Sequence, residues 1–92
     1  MVWIYGLVDP RSWDLRYIGR STFLEQRYMQ HWNAPIPCLR FWIEDLKANH
    51  LRPKLIRLEV LEDGNGVREE RMWIVTERNA GTPLLNKDYR KR

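Results

Sequence analysis

Two short segments rich in β-branched and aromatic residues constrain the fold of this chain most strongly. Val2–Val8 and Leu15–Gly19 are separated only by the segment Asp9–Asp14, which contains Pro and Ser. Segments of this composition bounded by turn-forming residues are typical of strands. A connection this short joins strands that run antiparallel. The sequence therefore predicts a β-hairpin at the start of the chain.

A helix is predicted directly after this hairpin. Ser21 or Thr22 is a suitable N-cap, and Glu25 follows Thr22 at the spacing of a capping box. The helix is expected to run to about Trp32, because Pro35 then interrupts the helical pattern.

A second helix and a third strand follow. After Pro37, apolar residues recur at i, i+3, i+4 and i+7, the pattern of a helix with one buried face. These residues are Leu39, Trp42, Ile43 and Leu46. The strand is predicted over Lys54–Leu61, with Ile56, Leu58 and Val60 expected on one face.

The last predicted helix runs from about Val67 to Asn79, between a glycine-rich turn and Gly81. The resulting order is β-β-α-α-β-α, which predicts an α+β domain in which helices pack on a small sheet. Because 92 residues leave no room for a second domain, we expect one domain over residues 1–92.

Composition excludes two classes of protein. Cys38 is the only cysteine, so a disulfide scaffold is excluded, and the many aromatic residues supply the area for a core. No segment approaches the ~20 apolar residues of a membrane span. The N-terminal sequence MVWIYGLVDP has neither a basic n-region nor a small-residue cleavage site. We therefore expect a soluble, cytoplasmic protein.

The charge balance is modestly basic, with 16 Lys and Arg against 12 Asp and Glu, a net charge of +4. Such an excess fits a polyanionic partner, although many basic domains bind none.

The hairpin carries the first candidate functional residues, in the tripeptides Trp-Ile-Tyr and Tyr-Ile-Gly. Alternation along a strand places Tyr5 opposite Ile4, and Tyr17 opposite Ile18. One face is therefore expected to be buried, and the other to present two phenol hydroxyls. Cross-strand aromatic pairs are also common structural features of sheets.

Two further segments carry charged candidates. Arg27 and His31 are four residues apart, so they share a helix face, where Arg can bind a phosphate and His can transfer a proton. The alternative is a solvated face. Glu70 is expected on the core side of its helix with Val67 and Ile74. There it would either pair with an Arg or bind a hard cation such as Mg²⁺.

In their order and spacing, these segments resemble the GIY-YIG nuclease domain, a module of homing endonucleases and of a bacterial repair nuclease. The resemblance rests on the two tripeptides, on Arg27 with His31, on Glu70-x-x-Trp73-Ile74, and on Leu-Leu-Asn ending at Asn86. It spans nearly the whole chain. One departure is Trp3, which stands where the first tripeptide usually has Gly.

The resemblance implies a three-stranded antiparallel sheet flanked by helices, and cleavage of DNA with one divalent ion, Mg²⁺ or Mn²⁺. It implies that Tyr5 is a general base or positions water, and that Tyr17 lies at the active-site surface. Arg27 would bind the scissile phosphate and Glu70 the metal. His31 would lie in the site, and Asn86 would support it. Whether Tyr5 or His31 is the ultimate base stays open at this point.

Basic residues along the chain are predicted to contact the nucleic-acid backbone. The predicted nucleic-acid-binding residues are Arg16, Arg20, Arg40, Lys54 and Asn86, with a basic tail that includes Arg90, Lys91 and Arg92.

RNA is an alternative substrate. A single site cuts one strand at a time, so a double-strand break would need a homodimer or two encounters, and specificity would need the chain's own loops or a targeting partner. There are two alternatives to a nuclease. One is a nucleic-acid-binding module without catalysis, and the other is a protein-interaction domain that uses exposed aromatic residues such as Trp13 and Trp32.

Overall fold

The computed structural model describes residues 1–87, so Arg90, Lys91 and Arg92 of the basic tail lie outside the described residues. Its elements are β1 (Val2–Val8), β2 (Leu15–Ser21), α1 (Leu24–Asn33), a 3₁₀ turn (Pro37–Leu39), α2 (Arg40–Ala48), β3 (Lys54–Leu61) and α3 (Val67–Asn79). The predicted α+β class and the order β-β-α-α-β-α are confirmed. In the described part of the chain, no helix is long and apolar enough to span a bilayer.

The three strands form one antiparallel sheet in the order β2-β1-β3. The strand β1 is central, and six of its seven residues are buried. A strand buried on both faces has no solvent side, which explains its continuous apolar run. The predicted hairpin is confirmed, since β1 pairs directly with β2.

A separate apolar cluster lies on each face of the sheet. One contains Tyr5 and Leu7 of β1 together with residues of α1, the 3₁₀ turn and α2: Leu24, Leu39, Trp42, Ile43 and Leu46. The other joins Ile4 and Ile18 to Ile74 of α3. Each fully buried Leu or Ile contributes about 1.5–3 kcal/mol relative to exposure, so the apolar stripe of α2 fixes this helix on the sheet.

The two tyrosines predicted on the other face of the hairpin lie side by side, but helices cover that face as well. Tyr5 is 1% exposed, because α1 and α2 cover this face and make it the larger half of the core. Tyr17 is partly exposed. Sequence alternation predicted which residues share a face, but not that helices would cover both faces.

The prediction that Ile56, Leu58 and Val60 share one face of β3 fails at Val60, which pairs with Trp3. Leu58 packs inward against the Ile4 cluster, whereas Ile56 and Val60 are exposed. The pairing of β1 with β3 shifts between Ile4 and Tyr5, so Leu58 has no partner on β1. This β-bulge turns the strand over, and the residues beyond it change face.

The predicted capping box is absent. Helix α1 begins after Phe23, and no side chain caps it. The Ser21 hydroxyl instead accepts a hydrogen bond from the Phe23 N–H at 3.0 Å and donates one to the Phe23 carbonyl at 3.1 Å.

The β1–β2 loop is held by Asp9, whose side chain is nearly buried. Its carboxylate accepts three hydrogen bonds from Arg11, at 2.9, 3.0 and 2.9 Å, and one from the Trp42 indole at 2.9 Å. The second arm of Arg11 reaches Asp45 at 2.9 Å. The hydrogen bonds from Arg11, more than any other factor, hold the pKa of Asp9 well below its usual range.

We therefore expect this loop to make the fold sensitive to acid. A carboxylate with a depressed pKa stabilises the fold fully above its unfolded pKa of ~3.9, and this contribution is lost as the pH falls below that value. Asp9→Asn should lower the free energy of unfolding at pH 7 by roughly 2 kcal/mol and flatten its decline in acid. Urea unfolding at pH 7 and pH 3 measures both. The exposed control Asp45→Asn should change stability by less than about 1 kcal/mol. An Asp9→Asn variant with the wild-type pH dependence would contradict this assignment.

Candidate active site

The centre of the site is the ring of Tyr5, which lies across the backbone of Gly19. Tyr5 and Gly19 are directly paired on β1 and β2. A Cβ atom at position 19 would lie 2.5 Å from the Tyr5 hydroxyl oxygen, closer than atoms approach in proteins. The glycine of the second tripeptide is therefore needed so that the tyrosine of the first can lie flat against the sheet.

A buried hydrogen bond joins this tyrosine to α1. The distance between Tyr5 Oη and His31 Nε2 is 2.7 Å, and His31 is only 4% exposed. The Tyr17 ring packs beside both, with its centroid 6.3 Å from that of Tyr5 and 5.1 Å from that of His31. The structure thus brings together all three ring residues that the sequence predicted for the site.

Burial keeps both partners of this hydrogen bond uncharged. Burial raises the pKa of Tyr5 well above that of a free phenol, and Tyr17 adds to the rise, while the charge and hydrogen bonding of Arg27 oppose it. Burial also lowers the pKa of His31 to about 4, with a further contribution from Arg27. At neutral pH the site therefore holds a phenol that retains its proton and an imidazole that can accept one.

Arg27 lies between the aromatic residues and the carboxylate of the site. It is one turn before His31 on α1, as predicted, and its Nη1 donates to the Arg20 carbonyl at 3.4 Å. Its charge acts on the pKa values of Tyr5, His31 and Glu70. A partly exposed guanidinium in this position can bind an anion brought to the site.

Glu70 of α3 is the only carboxylate among these predicted site residues. Its Oε1 lies 3.3 Å from Arg20 Nε, and its side chain is 19% exposed. Burial raises its pKa, while Arg20 and Arg27 lower it. The expected core face of the helix is only partly confirmed, since Ile74 is buried but Val67 is 40% exposed.

Arg20 was predicted to contact nucleic acid, but in the structure it pairs with the site's carboxylate. Besides Glu70, it donates through Nη1 to the Asn65 carbonyl at 3.2 Å. It therefore ties α3 and the preceding turn to β2, which places Glu70 at the site.

Asn86 holds the site from behind. Its Oδ1 accepts from the Ile18 N–H at 2.9 Å, and its Nδ2 donates to the Ile18 carbonyl at 2.7 Å. Leu85 adds a backbone hydrogen bond to the Arg16 carbonyl at 2.6 Å. The Asn86 amide thus pairs with β2 as a neighbouring strand would, and its side chain is buried in this pairing. Its position fits the supporting role that the resemblance implied.

The other predicted nucleic-acid contacts are less closely connected to the site. Arg40 and Lys54 are exposed, and among the described residues no ion pair or hydrogen bond joins their side chains to the cluster. Arg16 is partly exposed, with a buried Nε that has no hydrogen-bond partner within the described residues.

Three basic side chains lie over indole rings, in contacts that the sequence did not predict. Lys47 Nζ and the Arg52 guanidinium lie over the Trp32 ring at 4.9 and 5.0 Å from its centroid, and Arg57 lies over Trp3 at 5.5 Å. Such contacts hold cationic groups in place without neutralising them. Sequence reasoning missed them because each pair joins segments that are far apart along the chain.

The side chains of the site can supply only part of the coordination shell of a hard divalent cation. No group of three metal-ligating side chains exists among residues 1–87. Mg²⁺ usually retains waters and takes one or two carboxylates together with substrate phosphates. The half-buried Glu70 oxygens, whose pKa is raised by burial, are a suitable single protein ligand, because a cation would offset the cost of burying their charge.

Neither family models nor curated proteins nor solved structures match this chain. The site combines the buried imidazole of His31, the partly exposed guanidinium of Arg27 and the carboxylate of Glu70.

Proposed function

We propose that this protein is a divalent-metal-dependent endonuclease that hydrolyses DNA phosphodiester bonds, with one active site per chain. The observation that carries the proposal is the buried hydrogen bond between Tyr5 and His31. The charges of Arg27 and Glu70 both act on the pKa of this tyrosine. Phosphodiester hydrolysis needs a residue pair that can transfer a proton and, beside it, a cationic side chain that can bind the phosphate. The resemblance to GIY-YIG nucleases points to the same residues.

In this proposal Arg27 binds the scissile phosphate and offsets the charge that develops on its oxygens. Tyr5 takes a proton from the attacking water while it passes its own proton to His31 Nε2. His31 is the final acceptor, because its low pKa keeps it neutral and the pKa of Tyr5 is too high for a stable phenolate. The new P–O bond forms as the bond to the leaving oxygen breaks, and that oxygen takes a proton from solvent. A divalent ion on Glu70 would supply positive charge to the phosphate and the leaving oxygen.

This arrangement places different demands on the exposed and buried residues. Arg27, Glu70 and Tyr17 are partly exposed and can meet a substrate, whereas Tyr5 and His31 lie beneath them. The buried hydroxyl must therefore reach water at the base of the site when DNA is bound. The low exposure protects the proton-transfer pair from bulk solvent, which strengthens its electrostatic interactions.

The experiment that tests the proposal is nicking of supercoiled plasmid by the purified chain, in Mg²⁺ or Mn²⁺ and in EDTA. We expect conversion to the open-circle form with either metal and none in EDTA. Cleavage that persists in EDTA would remove the metal from the proposal and leave Glu70 as a candidate acid for the leaving oxygen.

The second candidate is a nucleic-acid-binding module without catalysis. The Lys47, Arg52 and Arg57 side chains that lie over indole rings favour it. It predicts that folded protein binds DNA in a salt-sensitive way and never nicks it. A chain that neither binds nor cleaves DNA would instead favour the protein-interaction alternative.

A further inference from the structure

The β1–β2 loop holds one aromatic side chain out into solvent in a strained backbone conformation. Trp13 has φ of 64°, in the left-handed region that is unfavourable for a bulky residue, and it is 69% exposed. A residue in this region costs on the order of 1–3 kcal/mol and persists only where its surroundings fix it. Here the cost leaves a large indole in water, so packing of the ring does not offset it.

Hydrogen bonds hold the loop in this conformation. The Trp13 N–H donates to the Asp9 carbonyl at 2.8 Å, and the Asp9 N–H donates to the Asp14 carbonyl at 2.9 Å. The same Asp9 is fixed through its side chain by Arg11 and Trp42. The loop is therefore a rigid support for one outward-facing indole. Phe41 is more exposed, at 83%, but it lies in a regular helix that needs no such support.

The surroundings of Trp13 identify the kind of partner. Trp13 lines an open cleft of about 400 Å³ with Asp14, Glu77 and Thr82, and the Thr82 hydroxyl donates to Glu77 Oε1 at 2.6 Å, which leaves the other carboxylate oxygen as an acceptor. A protein partner would need a continuous apolar patch, and this cleft is largely polar. Carboxylates repel the phosphates of a nucleic-acid backbone, but they accept hydrogen bonds from the amino groups of bases. An indole face beside two carboxylates suits an unstacked base rather than its phosphate.

We propose that Trp13 is a base-stacking residue, and that the cleft beside it binds an unpaired nucleobase that carries an exocyclic amino group. Leu15 begins β2 and Gly19 lies under the Tyr5 ring, so the loop is roughly 14 Å from the candidate site at about 3.4 Å per residue. That span corresponds to about four nucleotide steps of a duplex strand at ~3.4 Å each. This inference rests on the proposed function, and it names the feature of the substrate that the chain itself would recognise: a region where bases are unpaired near the cut.

The test compares Trp13→Asn with wild type, because Asn accommodates the left-handed conformation and removes the ring. Affinity is measured by fluorescence anisotropy with labelled 20-nucleotide strands of oligo-dC and oligo-dT, in EDTA so that cleavage plays no part. We expect wild type to bind oligo-dC more tightly than oligo-dT. Trp13→Asn should weaken binding to oligo-dC by roughly 5- to 150-fold, the range of a stacked base, and remove the preference.

The melting temperature and a matched control decide what such a loss means. Trp13→Asn should melt at or above the wild-type temperature, since it relieves the strain, and Phe41→Ala should bind both strands as wild type does. Unchanged oligo-dC affinity in Trp13→Asn would overturn the inference, and so would a melting temperature well below that of wild type, which would make Trp13 a packing residue. An equal loss in Phe41→Ala would overturn it as well.

Because these measurements exclude metal, they separate the inference from the proposed function. Plasmid nicking by a variant that keeps wild-type affinity would overturn the inference and leave the nuclease standing. Trp13-dependent binding by a chain that never nicks DNA would support the inference and contradict the nuclease.

Discussion

Replacement of Arg27 by Ala is expected to reduce metal-dependent DNA cleavage by roughly 10³-fold or more. A guanidinium that neutralises charge on a phosphoryl group in its transition state contributes on this scale. Arg27 is the residue whose charge reaches Tyr5, His31 and Glu70 together, so none of the others can replace it. Initial rates of plasmid nicking at saturating Mg²⁺ measure the effect.

Two variants separate charge from shape and from general basicity. Arg27→Lys keeps the charge but loses the planar fork, so it should recover only part of the activity. Arg71→Ala removes the same charge from an exposed position on α3 and should cleave within a few-fold of wild type. The assignment fails if Arg27→Ala and Arg71→Ala cleave equally well.

Tyr5→Phe is the second substitution with a large expected effect, a loss of about 10²- to 10⁴-fold in the cleavage rate. It removes the hydroxyl that is hydrogen-bonded to His31 and leaves the ring volume unchanged. Because His31 then has a buried nitrogen without its partner, the variant should also lose about 1–3 kcal/mol of stability. Circular dichroism and urea unfolding establish that the protein assayed is folded. A folded Tyr5→Phe variant with wild-type activity would exclude this hydroxyl from the reaction.

The same pair sets an expected pH dependence. The pKa of His31 is lowered to about 4, so the neutral acceptor is present throughout the neutral range and cleavage should fall only as the pH approaches 4. Stability shows the same sign: since the unfolded chain takes up its proton near pH 6.5, the folded state weakens as the pH drops from about 6.5 toward 4. A cleavage rate that reaches half of its maximum at pH 6.5 would show that His31 titrates like a solvent-exposed imidazole.

Local patterns were sufficient to predict the parts of the fold that local physics decides. The hairpin followed from two β-rich segments and a short turn, and the stripe of Leu39, Trp42, Ile43 and Leu46 predicted the face of α2 that is buried. The i, i+4 spacing of Arg27 and His31 likewise placed both residues on the site side of α1.

The sequence did not predict the features that depend on how the helices and strands pack together. The burial of Tyr5 follows from two helices covering its face, and strand alternation contains no information about that. The bulge opposite Ile4 exposed Val60, because one additional residue in β3 changes the face of every residue beyond it. The pairing of the Asn86 amide with β2 could not be predicted, because Asn86 and Ile18 are far apart along the chain.

The sequence predicts that Glu70 either pairs with an Arg or binds a hard cation, and the structure shows the ion pair. Glu70 is both an ion-pair partner of Arg20 and a half-buried carboxylate whose pKa responds to Arg27. The pairing with Arg20 positions the carboxylate, and it does not exclude a cation, since Mg²⁺ needs few protein ligands.

The most direct test of the nuclease account is a paired measurement of DNA cleavage and DNA affinity in wild type and Glu70→Gln. Gln keeps a side chain that can accept the hydrogen bond from Arg20 but is a poor ligand for Mg²⁺. The account predicts that wild type nicks plasmid in Mg²⁺, and that Glu70→Gln loses this activity while its affinity in EDTA stays equal or rises, since a negative charge is removed. Wild-type cleavage by Glu70→Gln, or wild type that binds DNA and never cuts it, would contradict the account.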